Sequence, residues 1–103
     1  MVIGQDDVMS RLDDLLAEHL ADPFPTTVEK GLDYREIEPV TIDAAIVGWA
    51  ERATNTRGLT VDDRTRLREA ADDLRASLDA LPQEARPYFE RLLSLAAAAL
   101  SAA

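Results

Sequence analysis

Between Thr60 and Pro82, apolar residues return at spacings of four, three, four and three: Leu67, Ala71, Leu74, Leu78 and Leu81. That alternation keeps one stripe on one side of an α-helix; a strand, whose side chains alternate every second residue, would scatter it over both faces. At roughly two and a half heptads the stripe is too short for an independent coiled coil and suits an antiparallel bundle instead. Thr60 as N-cap with Asp63 three residues on makes a capping box in which Asp replaces the preferred Glu. Pro82 stops the pattern. A helix is therefore predicted over about 61–81. Asp62–Arg66, Arg68–Asp72 and Arg75–Asp79 stand at i,i+4, each pair supporting the helix by about 0.2–0.5 kcal/mol.

Three further segments supply partners for that stripe. Val8 or Met9, Leu12, Leu15, Leu16, His19 and Leu20 recur at helical spacing, which predicts a helix over about 5–21, ended by Asp22-Pro23. A second is predicted over about 42–54, with Thr41 as N-cap and Ile42, Ala45, Ile46, Trp49 and Ala53 facing inward. Gly48 in its middle costs about 1 kcal/mol relative to alanine, and close helix approach along Ala44, Ala45 and Gly48 is the expected compensation. After Pro82, residues 82–86 suit a single helical turn. A fourth helix is predicted over about 87–102, with Pro87 at its start and Phe89, Leu92, Leu93, Ala96, Ala99 and Leu100 on its inner face.

Between the first two helices the chain reads as loop through Asp33. Residues 34–40 then alternate and carry β-branched and aromatic side chains, but Pro39 and the lack of a second strand pattern limit them. They form a packed loop, or a short extended piece lying against helices or paired across a dimer. The fold expected is all-α: one small four-helix bundle-like domain over residues 1–103, with that short extended segment near 34–40.

Charge narrows the function. Among 103 residues, 20 acidic side chains face 11 basic ones, a formal net charge of −9. The asymmetry is local: residues 1–54 carry −8 and residues 55–103 only −1. A nucleic-acid backbone is a poor partner for such a chain. The acidic N-terminus is the opposite of a secretion signal, and the longest apolar run, Leu95 to Leu100, falls far short of a membrane span of about 20 residues. A cytoplasmic protein, with neither membrane nor nucleic acid as partner, is expected.

Chemistry-bearing patterns are sparse. With no cysteine and one histidine, thiolate metal sites and cysteine nucleophiles are excluded. The doublets Asp6-Asp7, Asp13-Asp14, Asp62-Asp63 and Asp72-Asp73 point about 100° apart on a helix, so none chelates. No glycine-flanked serine or phosphate-binding glycine loop occurs. His19, on the edge of an apolar stripe, reads as a structural histidine rather than a base. Arg64, Arg68 and Arg75 share a helix face that could meet an anion, but interleaved acids make it a solvated or internally paired face. No catalytic, metal or cofactor residues are predicted.

The segments Ile42-Asp43-Ala44-Ala45-Ile46-Val47-Gly48-Trp49-Ala50 and Leu81-Pro82-Gln83-Glu84-Ala85-Arg86-Pro87-Tyr88-Phe89-Glu90-Arg91-Leu92 resemble a group of small uncharacterised actinobacterial proteins. The likeness spans the last two thirds of the chain. In that group the position of Ala45 is an aspartate, so any role of that carboxylate does not carry over. The resemblance implies no activity. Function is then expected from charge and shape: a non-enzymatic acidic module, immunity-like or adaptor-like, that binds a protein partner of basic character. Trp49, Asp13, Asp14, Glu36 and Glu38 are its candidate partner-binding residues. The alternative is a homodimerisation module, suggested by the two-sided apolar content of the fourth helix and the unpaired 34–40 segment. A small-molecule binder or enzyme ranks below both.

Overall fold

The computed structural model describes residues 4–55 and 58–102, with side chains from Arg11 onward. Among these residues there are four α-helices and no strand: α1 (Gly4–Ala21), α2 (Pro39–Ala53), α3 (Val61–Ser77) and α4 (Arg86–Ser101), with single 3₁₀ turns at Leu78–Ala80 and Gln83–Ala85. α4 is the hub. It packs against α1, α2 and α3, while α1 meets α2 only lightly. That position explains why its buried set is wider than one stripe: Tyr88, Leu95 and Ala98 join Phe89, Leu92, Ala96 and Ala99, while Leu93 and Leu100 are only half-buried. Alanines at 96, 98 and 99 let three helices approach one axis, since small side chains shorten interaxial distances.

The Thr60–Asp63 capping box forms in both directions: Asp63 N–H donates to Thr60 Oγ1 at 3.0 Å and Thr60 N–H to Asp63 Oδ2 at 3.1 Å. Asp63 also accepts from Arg52 at 2.7 Å, tying the end of α2 to the start of α3. Hydrogen bonds from the Thr60 backbone, with Arg52 beside it, hold the Asp63 carboxyl below its ordinary range. Of the three expected i,i+4 pairs only Asp62–Arg66 forms; Arg75 turns to Asp72, and Asp79 is held by Arg35.

Two helix boundaries differ from expectation for identifiable reasons. α2 starts three residues early because Glu38, not Thr41, is its N-cap. The Glu38 carboxylate accepts from Val40 N–H (3.0 Å), Thr41 N–H (2.9 Å) and the Thr41 hydroxyl (2.6 Å), and Pro39 fits the first turn, where its missing N–H is not needed. α3 gives way to a 3₁₀ turn after Ser77, and Leu81, preceding Pro82, is extended (ψ 152°), as steric conflict with a following proline requires.

Residues 34–37 form neither a strand nor an edge awaiting a second copy. They close on themselves: Tyr34 N–H donates to Ile37 O at 2.7 Å and Ile37 N–H to Tyr34 O at 3.2 Å. Arg35 takes φ 58° at the corner, a left-handed conformation usually left to Gly or Asn and costing other residues about 1–2 kcal/mol. The turn docks on the end of α3, where Glu36 N–H donates to the buried Ser77 hydroxyl at 3.0 Å and Arg35 to Ala76 O at 2.5 Å. Gly48 is also corrected. It is exposed, and a Cβ built there meets nothing within 4 Å, so no close helix approach requires it.

Candidate functional site

The most elaborate polar arrangement sits where α1, α2 and α4 meet. His19, in the last turn of α1, is 3% exposed, and its Nε2 lies 2.6 Å from Asp43 Oδ1 in the first part of α2. The Tyr88 hydroxyl of α4 donates to the other carboxylate oxygen at 2.9 Å. Nε2 is the donor in this contact, because an aspartate carboxylate only accepts. Nδ1 is left buried without a hydrogen-bond partner. The His19 and Tyr88 rings lie 4.6 Å apart, and Phe24 stands edge-on to Tyr88 and Phe89. Burial, then the bond to Asp43 and its charge, push the Tyr88 hydroxyl well above its usual pKa.

Such a cluster can clamp three helices. The imidazole is enclosed and no hydroxyl or amine nucleophile stands on its free nitrogen, whereas a general base must reach the proton it removes. Arg91 of α4 pairs with Asp22 just beyond α1, so a second tie closes the same end of the helix. His19 is thus a structural histidine, more deeply buried than its place at the stripe's edge suggested.

The expected partner-binding residues separate into four situations. Asp13 and Asp14 are exposed on α1, on the side away from Leu12, Leu15, Leu16 and His19. Glu36 is exposed on the 34–37 turn, held against the end of α3 rather than beside α1. Glu38 is committed to the α2 N-terminus and also accepts from Gly31 N–H at 3.0 Å. The Thr41 hydroxyl, followed by the Val40 and Gly31 amides, lowers its pKa to about 2. Trp49 is half-buried and packs against the core. The five are spread over α1, the 34–37 turn and α2 with its N-cap. What the sequence reading missed was Tyr88 as the third member of the polar cluster; its YF pair gave a core signal but no sign of a hydroxyl partner.

Among the described residues no group of three or more His, Asp or Glu could hold a metal ion, and no helix is long and apolar enough to cross a membrane. In comparisons with known proteins, no family model, curated protein or solved structure matches the chain. Within one copy, α4 packs against α1, α2 and α3, and Tyr34 pairs with Ile37 of its own turn.

Proposed function

We propose that the chain is a non-enzymatic, cytoplasmic protein-binding module whose α1 presents an acidic face to a basic partner. One observation carries this reading. Asp13, Asp14 and Glu18 stand exposed on the outer side of α1 and take part in no ion pair among the described residues. By contrast, Asp22, Asp43, Asp62, Asp63, Asp72 and Asp79 all face a cation or the single histidine. Part of the lopsided charge of the chain therefore stands unpaired on α1, while other exposed acids such as Glu29, Asp33 and Glu51 carry more of it elsewhere and Asp22 is paired across the halves with Arg91. A face of this kind steers a basic surface and accelerates encounter. The same repulsive field speaks against an extended nucleic-acid backbone as partner.

The test uses the full chain as bait at low salt, beside a variant carrying Asp13→Lys, Asp14→Lys and Glu18→Lys. Retained proteins are identified, and the strongest is purified and its affinity measured. A basic protein that binds the wild type, weakens with salt and is lost in the variant is the expected result. Retention of no basic protein, or equal retention by both baits, overturns the reading.

A further inference from the structure

At the opposite end of α3 from its capping box, three arginines of this acidic chain converge on one open cleft of about 490 Å³, together with Asp79 and Glu90. They come from three places: Arg35 from the corner of the self-paired turn, Arg75 from the last turn of α3, and Arg86 from the start of α4. Two are fixed in position by backbone carbonyls. Arg35 Nη1 donates to Ala76 O and to Asp79 Oδ1, both at 2.5 Å. Arg86 donates from Nε to Leu81 O at 3.2 Å and from Nη2 to Asp79 O at 3.0 Å. The two guanidinium groups therefore meet at one residue, Asp79. Each guanidinium has five N–H donors, so both keep several after these bonds are made. Among the described residues Arg75 bonds only Asp72, through Nη1 at 2.8 Å, and is 63% exposed.

We propose that this cleft is a binding site for a phosphate group, carried by a small phosphorylated molecule or as the free ion. The Asp79 carboxylate shows what the site does to an anion: Arg35, through its hydrogen bond and its charge, and then Arg86 hold that carboxyl below its ordinary range. Asp79 also decides the class of ligand. A monocarboxylate would have to displace a tethered group of equal charge and similar shape, gaining nothing. A phosphate dianion offers more charge and three acceptor oxygens, which can take donors from Arg35, Arg75 and Arg86 together. Asp79, 74% exposed, can swing to solvent as the dianion enters. The cleft volume lies in the range of about 300–1,000 Å³ usual for small-molecule sites. The net charge of −9 does not forbid this, because at about 0.1 M salt the field of distant carboxylates is screened within about 10 Å. A polyanion laid along the molecule would lack that protection.

The bland alternative is that Arg35 and Arg86 only satisfy the last carbonyls of α3. A titration of the full chain, followed by amide NMR shifts, separates the two. Inorganic phosphate, glycerol phosphate and acetate are the probes. Saturable shifts centred on residues 34–37 and 76–86 are expected with one or both phosphates, and the stronger of the two names the source. Arg75→Gln, which removes no carbonyl contact, should weaken binding about tenfold, the loss of one charge-assisted hydrogen bond. Asp79→Asn should tighten it severalfold by removing the carboxylate that Arg35 holds, one of the competing acids beside Glu90 and Asp72, a gain that a purely structural role does not give. Shifts that fail to saturate, acetate binding as well as phosphate, or an Asp79→Asn variant that binds no tighter would each overturn the proposal.

Discussion

Tyr88 and Glu38 show how single side chains set the response of this molecule to pH, in opposite directions. The Tyr88 hydroxyl is neutral in the fold, buried and bonded to the Asp43 carboxylate. Its folded pKa lies above the unfolded value of 10.0, so its contribution is complete below pH 10 and is lost as pH rises beyond it. Phenolate absorbance should show one of the two tyrosines ionising late, with folding stability falling in the same range. Tyr88→Phe should remove that alkaline loss and, at neutral pH, cost about 1.5–2 kcal/mol in urea unfolding, the low part of the range for a bond to a charged acceptor, because Asp43 is partly exposed. Glu38 works the other way. Its carboxyl is lowered from 4.5 to about 2 by the amides and hydroxyl it caps, so its stabilisation is present above pH 4.5 and drains away as pH falls toward about 2. In thermal melts across that window, Glu38→Gln should flatten the acid decline of the wild type.

At the scale of elements, the periodicity of apolar residues was enough to place all four helices, while the joints depended on contacts that no local pattern carries. Leu67, Ala71 and Leu74 define the buried side of α3 as the four-three spacing requires. The start of α2 was misplaced because Glu is an unusual N-cap, and only the fold shows that its carboxylate reaches two amides. The 34–37 turn was illegible for a related reason: Arg35 at positive φ lacks the Gly or Asn that announces such a corner. Gly48 is the element-level case with the plainest consequence. With open space around its missing side chain and an ordinary helical position, Gly48→Ala should stabilise α2 by about 0.5–1 kcal/mol. For a domain of this size that raises Tm by about 3–6 °C, a shift that calorimetry resolves. No change or a loss would overturn the assignment of Gly48 to an ordinary, open helical position.

For the molecule as a whole, the uneven charge was visible in the sequence, but its meaning was not, because internal pairing and an outward face have the same composition. The fold separates them. Three of the four arginines of α3 turn to Asp62, Asp72 and the Leu100 carbonyl, and α1 makes no substantial contact with α3. Asp13, Asp14 and Glu18 therefore repel one another on a surface where Arg11 is the single cation among the described residues of α1. Salt should then act with opposite signs on folding and on binding. Screening relieves self-repulsion, while the ion pairs it also weakens are mostly exposed and worth little each, so Tm should rise between about 0.02 and 0.3 M sodium chloride, where the Debye length shrinks from about 20 Å to below 10 Å. Association with a basic partner should slow over the same interval. Reversing Asp13, Asp14 and Glu18 to lysine should shrink both effects together, because one set of carboxylates produces them. A salt-stabilised fold whose salt dependence survives that reversal would place the repulsion elsewhere, and α1 would lose its claim to be the binding face.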